Sequence, residues 1–123
     1  MKQITASIPA DVVERLTALR LDADVAGRGF KLTEFVSAAL LALPSQPSRM
    51  AGLIERYSNQ LNFELTSRDE GYLVEKRLST QITPDAAQRV ATIARDVYQS
   101  YGTKLSHKDI YAVALLNALA TKS

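Results

Sequence analysis

Lys2-Gln3-Ile4-Thr5-Ala6-Ser7-Ile8 and Lys76-Arg77-Leu78-Ser79-Thr80-Gln81-Ile82 decide how this chain is read. In the first stretch Ile4, Ala6 and Ile8 alternate with Gln3, Thr5 and Ser7; in the second Leu78, Thr80 and Ile82 alternate with Arg77, Ser79 and Gln81. A period of two predicts a β-strand with one covered and one open face. Thr80 falls on the covered face, where its β-branched side chain still suits a strand. The segments that follow also match: Pro9-Ala10-Asp11-Val12-Val13-Glu14-Arg15-Leu16 against Thr83-Pro84-Asp85-Ala86-Ala87-Gln88-Arg89-Val90. Ile8 and Ile82, Asp11 and Asp85, Arg15 and Arg89, and Leu19 and Ile93 all stand at an offset of 74 (82 − 8). The chain is a repeat.

A helix is predicted after each strand. Pro9 and Pro84 suit a first helical turn, where the missing N–H costs nothing, and Asp11 and Asp85 favour the positive end of the helix dipole. Val12, Leu16 and Leu19 fall at helical spacing, as do Ala86, Val90, Ile93 and Val97. Gly27-Arg28-Gly29 and Gly102 are the expected stops. A second helix then runs through Leu32–Leu43, which carries no charge after Glu34 and is expected to be buried nearly all round. Its counterpart is Ser106–Leu119, with Ser106 as N-cap. Ala39-Leu40-Leu41 matches Ala114-Leu115-Leu116 at an offset of 75 (114 − 39), so the loops of the two halves differ by one residue.

Residues 1–44 and 74–123 thus form two like units, with 45–73 as a connector packed on them in one domain. Pro44-Ser45-Gln46-Pro47-Ser48 breaks the preceding helix. Arg49 to Leu61 is expected to form a short helix through Met50, Leu53, Ile54 and Tyr57, and Ser67-Arg68-Asp69-Glu70-Gly71 an exposed turn.

Composition narrows the chemistry. Hydrophobic residues at 46% and charged residues at 23% describe a globular chain rather than a disordered one. With no cysteine there is no disulfide, thiolate metal site or thiol nucleophile, and a single histidine, His107, leaves little for a metal cluster. No apolar run approaches the roughly 18 residues of a membrane span, and the N-terminus enters an alternating strand with no signal-peptide pattern. A cytoplasmic protein with no cofactor and no membrane partner is the expectation. The net charge of +2 permits nucleic-acid binding without demanding it.

A strand of about seven residues, a helix and a second apolar helix, twice over, resembles the ribbon-helix-helix (Arc/MetJ-type) superfamily of DNA-binding proteins. The likeness is carried by the alternating strand running into Ile8-Pro9-Ala10-Asp11-Val12 and by the openings Leu32-Thr33-Glu34-Phe35-Val36 and Ser106-His107-Lys108-Asp109-Ile110. It covers both halves and leaves out the connector. In that family two subunits pair their strands as an antiparallel ribbon that enters the major groove. This chain departs from the pattern by carrying both units covalently. The resemblance therefore implies an α+β, mainly α fold: two tandem ribbon-helix-helix units forming an intramolecular pseudo-dimer, monomeric, with a two-stranded antiparallel β-ribbon. By architecture it is similar to VirC-type overdrive-binding accessory proteins of T-DNA transfer and, more loosely, to TraY-type relaxosome proteins of conjugative plasmids.

Pairing the two strands satisfies their backbones and buries their apolar faces, which neither unit can do alone. Gln3, Thr5 and Ser7 would then project beside Arg77, Ser79 and Gln81. Arg reads guanine bidentately, Gln reads adenine, and Ser or Thr reads several bases. Taken one at a time, these side chains are equally the solvated face of an amphipathic strand. The two faces differ in composition, so the expected target is a non-palindromic site. Phosphate is expected at the N-termini of the second helices, where free N–H groups and the dipole favour anions: Lys31 and Thr33 at one, Lys104, Ser106, His107 and Lys108 at the other, with Lys2 and Lys76 on the strands. Tyr98, Tyr101 and Tyr111 read as packing residues rather than stacking platforms.

Two other classes compete. An enzyme is not expected: Asp22 and Asp24 lie in a polar stretch without a histidine or glycine-rich loop, and His107 has no nucleophile in a recognisable context. A protein-interaction module binding a toxin or transfer protein is the stronger rival, with the connector near Leu53 and Tyr57 as its docking surface. Polar Arg77 and Gln81 favour DNA, because an interaction ribbon exposes apolar residues instead. Within DNA binding, a transfer accessory factor, a transcriptional repressor and a plasmid-partition centromere binder would share the same ribbon.

Overall fold

Alternation in the two strand segments becomes a two-stranded sheet in the computed structural model, which describes residues 1–66 and 75–122. β1 (Lys2–Pro9) pairs antiparallel with β2 (Glu75–Ile82). Between and after them come five helices: α1 (Ala10–Val25), α2 (Leu32–Leu41), α3 (Pro47–Thr66), α4 (Pro84–Tyr101) and α5 (His107–Lys122). The protein is mainly helical around one antiparallel ribbon. The expected turn at Ser67–Gly71 lies outside the described residues.

The ribbon's covered face is apolar. Ile8 and Ile82 are fully buried, Ile4 and Leu78 nearly so, and Thr80 is buried beside them. An isolated two-stranded ribbon is marginal in water, and here the helices supply the cover. Each second helix lies against the strand of the other half: α2 packs on β2, and α5 on β1. The crossing is fixed by hydroxyls as well as by apolar contact. Ser37 Oγ accepts the Thr83 N–H at 3.1 Å, and Thr33 Oγ1 lies 3.5 Å from Thr80 Oγ1. The polar blemish on the covered face therefore has a polar neighbour.

Local signals set most helix ends. Thr83 caps α4, its hydroxyl accepting the Ala86 N–H at 3.2 Å, with Pro84 in the first turn. Gly102, at a left-handed φ of 68°, closes α4 through its N–H to Tyr98 O. Gly27, at φ 73°, ends α1: Arg28 N–H reaches Ala23 O at 2.8 Å and Gly27 N–H reaches Asp24 O at 3.1 Å, a Schellman closure. Ser106 Oγ accepts the Asp109 N–H at 3.2 Å at the start of α5.

Four expectations need correction. Pro9 does not open α1; it is the last residue of β1, opposite Glu75, and a proline is tolerated on an edge strand. The connector helix is longer than the apolar spacing indicates, starting at Pro47 and ending at Thr66, because a proline is as good a first helical residue as it is a breaker. Over the side chains described, its apolar side is packed rather than free for docking. Met50 and Tyr57 are buried, Leu53 and Ile54 pack against the core, and the Tyr57 hydroxyl donates to Asn117 Oδ1 at 3.4 Å. Finally, α2 is not covered all round. Val36, Ser37, Ala39 and Leu40 are buried, whereas Ala38 and Leu41 are exposed. The helix that is buried on nearly every side is α5, from Ile110 to Leu116 without a break.

Candidate nucleic-acid interface

Antiparallel pairing puts directly opposed side chains on one face, so the register decides what the open face presents. Gln3 stands opposite Gln81, Thr5 opposite Ser79, and Ser7 opposite Arg77. All six residues are exposed. The central pair is joined by a hydrogen bond between Thr5 Oγ1 and Ser79 Oγ at 3.1 Å, across 74 residues of chain. That separation equals the offset of the sequence repeat, so the ribbon is centred on two equivalent positions. The three pairs bring together the whole set of residues expected to read bases, none of them acidic.

The residues expected at phosphate are less uniformly arranged. Lys2, His107, Lys108 and Tyr111 line one open groove with Gln3, Thr5 and Ser7, along the β1 side of the ribbon. Here α5 brings its N-terminus beside the strand, as its packing on β1 requires. Lys104 and Ser106 are exposed in the loop that leads into it. The Ser106 hydroxyl already occupies one of the N-terminal amides, that of Asp109, so an anion there is left the amides nearer the helix start.

The β2 side is different. Lys31 is 3.9 Å from Glu34, and Lys76 is 3.7 Å from Glu14, both exposed pairs that are weak and easily exchanged. Thr33 is half-buried with its hydroxyl turned to Thr80 rather than to an open surface. By strand parity Lys2 and Lys76 belong to the covered face, and they are exposed because they sit at the ends of the ribbon.

Tyr111 was legible as a packing residue but not as a wall of the groove. Its spacing of four from His107 is the available signal, since that spacing stacks side chains on one helix face. The two rings meet edge to face with centroids 6.4 Å apart. Burial pushes the Tyr111 hydroxyl above the ordinary tyrosine range, keeping it a neutral donor. Tyr98 and Tyr101 are exposed on α4. Among the described residues there is no cluster of His, Asp and Glu able to hold a metal ion, and no helix long and apolar enough to cross a membrane.

Comparison of the chain with protein-family models, with curated proteins and with solved structures gives no match.

Proposed function

We propose that this protein binds duplex DNA by inserting the open face of the β1–β2 ribbon into the major groove, as a single-chain ribbon-helix-helix pseudo-dimer. The observation that carries this reading is the register: Thr5 faces Ser79 at the repeat's own offset, so the two halves meet about an approximate two-fold axis through the ribbon. A major groove admits a two-stranded ribbon, and Gln, Thr, Ser and Arg are side chains that read base edges. Phosphate contacts come from the α5 N-terminus and its basic neighbours, Lys104, His107 and Lys108, with Lys2 and Lys31 further out. They fix position and make binding sensitive to salt without choosing a sequence.

The role we assign is an accessory factor in plasmid or T-DNA transfer, on the resemblance in architecture. A repressor or a centromere binder would use the same surface. A protein-docking role is favoured by one observation, the exposure of Leu21 and Val25 at the end of α1. Fluorescence anisotropy on random duplex DNA across a salt series tests the reading. Binding that falls steeply with salt, and that weakens several-fold in Arg77→Ala/Gln81→Ala, is expected. No binding at low salt overturns it.

A further inference from the structure

The three pairs on the ribbon's open face are not equivalent under the approximate two-fold that relates the halves. An offset of 74 exchanges Gln3 with Arg77 and Ser7 with Gln81, and leaves Thr5 and Ser79 at the centre. In a ribbon made of two identical strands the outer pairs would be copies of one another. Here one pole carries two carboxamides, Gln3 and Gln81, and the other carries a guanidinium and a hydroxyl, Arg77 and Ser7. The poles lie four residues apart along the strand, about 13 Å at the usual rise, a span of roughly two to four base pairs in a groove.

We infer that the ribbon reads a polar DNA site, with adenine under the Gln3–Gln81 pole, guanine under the Arg77 pole and a weakly specified step between them. This rests on the reading of the ribbon as the DNA surface, and assigns its specificity residue by residue. A carboxamide offers one donor and one acceptor in a plane, matching adenine N6 and N7; the guanidinium fork offers two donors, matching guanine O6 and N7. Two glutamines at one pole reach adenines on either strand. The central hydroxyls satisfy each other at 3.1 Å, so a base must displace that bond to be read, and the centre discriminates least. A single-chain protein with such a ribbon binds its site in one orientation, and so directs α3, which packs on α4 and α5, toward a fixed flank of the DNA.

The test is selection of sites from a random duplex library by the full chain, followed by binding to single-base variants of the winning site. A non-palindromic consensus with adenine at one end and guanine at the other is expected. Gln3→Ala/Gln81→Ala should abolish the preference at the adenine end only, and Arg77→Ala at the guanine end only, each by about 5- to 100-fold in discrimination. Arg77→Lys keeps the charge but not the planar fork, so it should retain overall affinity while losing most of the guanine preference. Gln3→Arg/Ser7→Gln gives both strands the same outer residues and should turn the consensus palindromic. A palindromic consensus for the unaltered chain, or loss at both ends from a change at one pole, overturns the polarity while leaving DNA binding intact. Failure to enrich any duplex, with no binding at low salt, overturns the DNA reading itself.

Discussion

α1 and α4 stand at equivalent places in the repeat, yet α4 buries Ala86, Val90, Ile93 and Val97 along its length while α1 buries only Ala10, Val12 and Leu16. The last turns of α1 leave Leu21 and Val25 exposed to solvent, Val25 at 90%. α4 has a hydroxyl cap at its start, and the position equivalent to Thr83 in the first half is Pro9, which cannot play that part. Arg89 donates to the Leu43 carbonyl at 3.4 Å beyond the end of α2, while its counterpart Arg15 is exposed. The added helix α3 packs on α4 and α5. The second half is anchored and covered, and the first is left open at the end of α1. The shared element is the ribbon, to which both halves contribute equally.

That contrast can be broken at graded depths. The largest effect is expected in the most deeply covered stretch of α5: Leu115→Ala, at a fully buried position, should cost about 3–5 kcal/mol in urea unfolding. Next comes the equivalent pair Ile93 and Leu19. Ile93→Ala should cost about 3 kcal/mol and Leu19→Ala about 1 kcal/mol, because Leu19 is only half-buried and leaves a smaller cavity. Equal losses at the two sites would contradict the asymmetry. Thr83→Ala, which removes a cap, should lower stability by about 1 kcal/mol. Leu21→Ser should stay within about 0.5 kcal/mol, since that side chain is largely exposed. Hydrogen exchange gives the same ordering without substitution, with amides in the last turns of α1 opening before those of α4.

The ribbon was legible because strand alternation and the repeat are both local to the sequence, whereas the register came from the structure. Facing the apolar residues to one side restricts the antiparallel pairing without choosing its centre, and the structure sets Thr5 against Ser79 there. The candidate base-reading set followed directly from that parity. What lay beyond the sequence depended on tertiary packing. Nothing local says that α2 covers β2 and α5 covers β1, so the half-burial of Thr33 against Thr80 and the exposure of Leu41 were not readable from composition. A run of small and apolar residues looks alike whether one face or every face is covered, which is why α2 and α5 were expected to be alike. Pro47 carried an ambiguous signal, and the acidic neighbours of Lys31 and Lys76 come from helix spacing in one case and from α1 lying over the ribbon's end in the other.

In the proposed function DNA faces the ribbon and not the open end of α1. Amide chemical shifts of the full chain, followed during titration with a short duplex at low salt, address both regions in one experiment. Gln3 to Ser7, Arg77 to Gln81 and the start of α5 at His107 and Lys108 are expected to shift together, while Leu21 to Val25 stay still. Shifts confined to the end of α1, or to α3, with the ribbon unmoved, would contradict it.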